Sequence, residues 1–275
     1  MSLPSARALS GAAFATLLLI ALMMGANHVA ARIAFNHGLG VSTAVVVRSA
    51  VTALVIVLIL AAQHVHVRFG AREKRFLPVI GLLIGVQSLC LYASVARLPV
   101  ALALLAFNTY PIWAALWSAL LYRRRPERAM LWAMPVILFG LALALDVLGA
   151  ASGLGAAGQW SRIGAGVAFA LAAAATFGLA LVLTQHEASG VDGRVRTATT
   201  MGLAALVALA AVGVQGGFQF PTGPAGWGGL AALTFLYGTA FTIMFTVLPR
   251  LGVAGNSAIM NVEPVFALVL AWLIL

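Results

Sequence analysis

Apolar stretches of about 20 residues run the length of the chain, separated by short turns rich in charge, glycine or proline. They fall near residues 11–35, 43–62, 77–96, 100–121, 129–147, 162–186, 197–215, 226–248 and 252–275. None alternates apolar with polar positions, which excludes the strands of a membrane barrel. A helix of this length spans the roughly 30 Å of a bilayer's hydrocarbon. The first stretch is longer than the 7–15 or so apolar residues of a signal peptide, and more spans follow it. The pattern predicts an all-α polytopic membrane protein with nine helices in this chain.

Composition narrows the class further. Of 275 residues, 63% are hydrophobic and 8% are charged. A soluble domain carries about 25% charged residues, so a water-facing surface cannot be built here. Soluble enzymes, nucleic-acid binders and disordered chains are excluded. The net charge of +10 reads as membrane-flank charge rather than as a nucleic-acid surface. Arg7, Arg68, Arg72, Lys74, Arg75, Arg123, Arg124, Arg125, Arg128, Arg194, Arg196 and Arg250 fall on one side of the nine spans. Only Arg32, Arg48, Arg97 and Arg162 fall on the other. Short loops rich in Lys and Arg stay cytoplasmic, which predicts a cytoplasmic N-terminus. The single cysteine, Cys90, allows no disulfide within the chain and no cysteine-based metal site.

The chain also resembles itself at an offset of 153 residues. Arg97-Leu98-Pro99-Val100-Ala101 falls on Arg250-Leu251-Gly252-Val253-Ala254, Asn108 on Asn261, Pro111 on Pro264 and Ala114 on Ala267. Gly25 falls on Gly178 and Gly85 on Gly238. Residues 1–153 and 154–275 are therefore expected to be two repeats. The first holds five spans, an odd number, so the second enters the membrane upside down, as in many transporters. The fifth span has its mate beyond Leu275, so a tenth helix is expected beyond this chain.

The five-plus-five pattern, the basic loop after the fourth span and the matching fourth and ninth spans resemble the drug/metabolite transporter superfamily. The closest type is its ten-helix EamA exporters. The carrying residues are Pro99-Val100-Ala101 through Asn108 and Tyr110-Pro111, with Val253-Ala254 through Asn261 and Glu263-Pro264-Val265-Phe266-Ala267. Within that family the chain is most similar to the bacterial aromatic amino-acid exporters of the YddG type. The resemblance implies a carrier in the bacterial inner membrane, a helical basket around a central cavity, and a peripheral tenth helix.

Polar groups within spans are costly and mark candidate sites. Asn27 and His28 lie in the first span. His28 reads either as a histidine bonded across helices or as a cavity-lining residue. Arg32, one turn on, reads as snorkelling to the interface. Asn108 and Asn261 each stand three residues before a proline, Pro111 and Pro264. A proline frees the carbonyl four residues earlier, so each site is expected to be a hinge with a polar handle for substrate. The other reading is an amide that bonds a neighbouring helix. Glu263 is the only carboxyl deep in a span. It reads as a proton or amine partner, or as a hydrogen-bonded structural residue. Gln87, Tyr92, Phe177 and Tyr237 complete the candidate substrate-binding set, with Tyr110 and Trp113 beside them. Aromatics there suit aromatic or large apolar solutes. Gly81 and Gly85 read as a close helix contact.

Two motifs carry no function. Gly153-Leu154-Gly155-Ala156-Ala157-Gly158 matches a dinucleotide fingerprint but follows no predicted strand. His64 and His66 lack further metal ligands. The candidate groups include neither paired carboxylates nor a nucleophile beside a base, so no enzyme is expected, and no cofactor or metal. The sole lysine, Lys74, lies in a loop, which excludes a retinal Schiff base. No filter loop or ring of charge suggests a channel. The expectation is a monomeric secondary transporter among membrane lipids, without a nucleic-acid partner. It would export small amphipathic metabolites, foremost amino acids including aromatic ones, by alternating access; the alternatives are a drug or other metabolite exporter of the same superfamily and, from a different class, an integral membrane enzyme.

Overall fold

The structure, a computed structural model, describes residues 10–65, 69–124, 128–247, 259 and 262–275; for residues 128–130, 245 and 246 only the backbone is described. Ten helical segments follow in order: α1 (Gly11–Asn36), α2 (Val41–Ala62), α3 (Ala71–Val95), α4 (Val100–Phe107), α5 (Tyr110–Tyr122), α6 (Arg128–Ala144), α7 (Gly155–Glu187), α8 (Gly193–Val214), α9 (Gly223–Thr246) and α10 (Glu263–Ile274). Among the described residues there is no strand, and seven spans are long and apolar enough to cross a membrane. Leu131–Ala144 and Glu263–Ile274 are shorter apolar helices.

Helix is the backbone's solution in hydrocarbon, where no water satisfies a free N–H or C=O. The helices run further than the apolar runs predicted. α3 starts at Ala71, not 77, and takes Arg72 to Arg75 into its first turns. α7 starts at Gly155, not 162. Hydropathy reports only the part within hydrocarbon, while the helix continues into the polar flank. One expected helix, 100–121, is two. The chain breaks at Asn108 and Thr109, and Pro111 lies in the first turn of α5, where its missing N–H costs nothing. Pro264 occupies the same position in α10.

Packing runs between the halves of the chain rather than within them. α1 lies along α9, α3 along α7 and α2 along α8; α5 packs on α7 and α10 on α1. Glycines allow the closest approaches. A Cβ on Gly81 or Gly85 would fall 2.5 Å from Leu203 or 2.8 Å from Val207 of α8, the close contact expected of that pair. Gly238 faces Thr52 of α2.

Both ends of the bundle are tied. At one, Gly40 N–H donates to the Gln219 carbonyl at 2.9 Å and Thr222 N–H to the His37 carbonyl at 2.8 Å, joining the α1–α2 turn to the α8–α9 connection. At the opposite end, Glu187 closes α7 and accepts from Arg72 of α3 and from the Tyr122 hydroxyl of α5, while Tyr122 stacks on His186. Helix ends brought together by packing make Glu187 and Tyr122 partners.

Candidate functional site

Asn27 and His28 face inward from α1, buried against α3 and α10. The Tyr92 hydroxyl of α3, itself fully buried, donates to Asn27 Oδ1 at 3.0 Å. His28 Nε2 stands 3.3 Å from Glu263 Oε1 at the first residue of α10. The two groups are within ion-pair distance of each other. The His28 and Tyr92 rings meet edge-on with centroids 5.9 Å apart.

The centre of this cluster is a residue that sequence reading did not count among the site residues. Arg48 lies seven residues into α2, about 10 Å along the helix, and is 2% exposed. Its NH1 donates to the Tyr92 hydroxyl at 3.0 Å. Its guanidinium carbon sits 4.1 Å from the centroid of the Tyr92 ring and 4.0 Å from that of Tyr237, on α9. Two aromatic faces therefore cover the cation, each worth up to about 2 kcal/mol when desolvated. Among the described residues no carboxylate lies within ion-pair distance of it. The Tyr237 hydroxyl points to Met201 Sδ at 3.5 Å.

Three buried nitrogens of this cluster, Arg48 Nε, Asn27 Nδ2 and His28 Nδ1, have no hydrogen-bond partner among the described residues. An orphaned buried polar atom costs about 1–3 kcal/mol, and such strain is concentrated where ligands bind.

A second, aromatic pole lies where α7 meets the α4–α5 break. Phe107, Tyr110 and Phe177 form a triangle with centroids 5.7, 5.4 and 5.1 Å apart. Trp117 Nε1 donates to the Ala175 carbonyl at 3.0 Å, fixing α5 on α7.

The remaining candidates are placed as follows. Asn108 caps α4, and its Nδ2 donates to the Leu104 carbonyl at 2.8 Å, so its amide serves its own helix break. Gln87 is buried on α3 and accepts from Ser88 Oγ at 3.3 Å, apart from the Arg48 cluster. Asn261 lies outside the described residues. Arg32 donates to the Val95 and Leu98 carbonyls at 2.8 and 3.2 Å, closing the end of α3. Gly153 and Gly155 adopt left-handed φ of +70° and +69° in the turn before α7, and no strand precedes them. No group of three metal-ligating side chains occurs among the described residues. Arg48 was visible in sequence as a charge inside an apolar run, but not as a site residue.

Two cavities lie away from this cluster. One, of about 440 Å³, lies between α2 and α8 near His64, Phe69 and Thr199. The other, of about 350 Å³, is lined by Arg32, Asn36, Pro99 and Leu275. Neither is lined by Arg48, Tyr92, Tyr237, His28 or Glu263.

Comparison with known proteins agrees with this architecture. The family model for EamA-like transporters matches residues 10–145 and 164–275. No curated protein matches the chain. A solved structure titled only "Crystal structure of protein" superposes with a TM-score of 0.53 at 20% identity, over 94% of this chain and 96% of that one. That likeness concerns the fold alone.

Proposed function

The chain belongs to the EamA-like transporter family of the drug/metabolite superfamily, and on that premise we propose that it exports amino acids, including aromatic ones, by alternating access. In this reading residues 1–153 and 154–275 are inverted repeats that rock against one another, and the N-terminus faces the cytoplasm of a bacterial inner membrane. The subfamily we favour is that of the aromatic amino-acid exporters. The observation that carries the proposal is the amphipathic interior. A buried network of Arg48, Tyr92, Asn27, His28 and Glu263 shares the bundle with the Phe107, Tyr110 and Phe177 triangle. A solute with charged and aromatic ends matches both chemistries.

Energy coupling in this reading runs through the His28–Glu263 couple. The test is counterflow of labelled phenylalanine in proteoliposomes, with and without a pH gradient. Saturable counterflow that a Glu263→Gln variant uncouples from the gradient supports the reading. Absence of counterflow for a panel of amino acids, with the protein folded and correctly inserted, overturns it.

A further inference from the structure

We propose that Arg48 is the receptor for a carboxylate on the transported solute, a claim that rests on the transporter reading above. The guanidinium carbon lies over the Tyr92 ring at 4.1 Å and over the Tyr237 ring at 4.0 Å. Aromatic faces hold the cation without supplying a counter-charge. NH1 is engaged by the Tyr92 hydroxyl, while Nε is buried without a partner among the described residues. A planar group with two acceptor oxygens suits a guanidinium edge, because guanidinium and carboxylate pair through parallel N–H···O bonds.

The neighbours point to the same chemistry. The Tyr92 oxygen accepts from Arg48 at 3.0 Å and donates to Asn27 at 3.0 Å, so the two side chains hang on one atom. Asn27 Nδ2 is a second buried donor without a partner among the described residues, and it too calls for an acceptor. A charged guanidinium in hydrocarbon needs a counter-charge, yet Glu263, the one carboxyl that the described residues bring to this cluster, stands against His28. Charge count selects the acceptor. A carboxylate brings one negative charge to one arginine. A phosphate monoester brings nearly two, beside Glu263 and with no second arginine or lysine in the cluster among the described residues. The two tyrosine rings hold the arginine in place for the incoming acid.

The test compares 3-phenylpropionate with its uncharged isostere 3-phenylpropionamide, and with phenyl phosphate, on the purified full chain in nanodiscs. Wild type is expected to bind the acid at least about tenfold more tightly than the amide, as a charge-assisted pair predicts. In Arg48→Gln the ratio should fall to near one, and Arg48→Lys should keep part of it. Arg48→Met loses both cation–π contacts along with the charge and is expected to melt early on either reading, so the readout is the acid-to-amide ratio in folded Arg48→Lys. A merely structural arginine would leave that ratio at the wild-type value. Equal binding of acid and amide, a preference for phenyl phosphate, or no binding of any probe by folded wild type overturns the proposal. Failure of amino-acid counterflow would sink the export reading and leave this ratio standing.

Discussion

The α1–α10 and α7–α5 crossings share one backbone contact and differ in chemistry. A Cβ on Gly25 of α1 would meet Glu263 O and Ala267 N of α10 at 3.0 Å each, and Phe266 Cβ at 3.3 Å. A Cβ on Gly178 of α7 would meet Tyr110 O at 3.0 Å, Ala114 N at 2.8 Å and Trp113 Cβ at 3.0 Å. Each residue of the second set stands 153 positions from its counterpart in the first. Around the first crossing the chain places His28 against Glu263; around the second it places Phe177 against Tyr110. Glu263 and Tyr110 occupy equivalent positions. The backbone constraint is kept on both sides, while the side chain at the mouth of each crossing is free to specialise, one toward charge and one toward aromatic surface.

The largest effect should come from breaking what the crossings share. Gly178→Val drives a branched side chain into the α5 backbone and should cost about 3 kcal/mol, the upper end of ordinary overpacking. Gly25→Ala, with contacts a little longer, should cost about 1–3 kcal/mol. Gly202, in the middle of α8, is the control: nothing lies within 4 Å of its added Cβ, so Gly202→Ala should stabilise by a few tenths of a kcal/mol or more through helix propensity. Thermal unfolding in detergent reads all three. If Gly178→Ala proves as harmless as Gly202→Ala, the shared contact is not what fixes the crossing.

The next step separates the two chemistries. His28→Leu leaves the Glu263 carboxyl facing an apolar side chain and should cost about 2 kcal/mol. Glu263→Gln keeps an acceptor for the imidazole and should cost under about 1 kcal/mol. At the other crossing, Phe177→Ala removes ring pairs worth about 0.5–1.5 kcal/mol each. In transport assays it should weaken aromatic solutes more than small aliphatic ones. Equal losses for both solute classes would mean that the aromatic pole only packs helices.

The sequence made the scaffold legible, because both spans and crossings obey simple rules. Apolar length gave the helices, and the 153-residue offset paired Gly25 with Gly178 and Pro111 with Pro264. Asn27, His28, Tyr92, Tyr237 and Glu263 stood out as polar or aromatic groups in apolar runs, and they do converge. Their convergence was not legible, since it depends on α1, α3, α9 and α10 meeting across the halves. Arg48 could be read from the sequence as an arginine approaching the membrane interior, but not as a site residue, because only the packing of α2 against α3 and α9 brings Tyr92 and Tyr237 to it. Asn108 went the other way: an amide three residues before a proline looked like a handle, but it folds back on the Leu104 carbonyl of its own helix, which also accepts the Asn108 backbone N–H.

The smallest effect concerns where α2 and α8 begin, at nearly equivalent positions of the two halves. Gly40 precedes α2 with no side-chain cap. Asp192 precedes α8 and accepts from Arg194 N–H at 2.8 Å, with the Arg194 side chain donating to the same carboxylate at 3.0 and 2.7 Å. The position equivalent to Asp192 is Leu39, which is buried among Ala34 and Val45 and has no room for a charge. Arg194's hydrogen bonds hold the Asp192 carboxyl below its usual range. The folded state therefore binds that proton less readily than the unfolded chain does. Its contribution is present above the ordinary carboxylate value of about 3.9 and is lost as pH falls through the lower folded value. With 38% of the side chain exposed, the ion pair adds only a few tenths of a kcal/mol, and the cap about 0.5–1 kcal/mol. Asp192→Ala should therefore melt slightly early at neutral pH, and its deficit should shrink in melts taken progressively below pH 4. A deficit that grows on acidification would mean the carboxyl is held above its usual range, and the cap would not be what distinguishes α8 from α2.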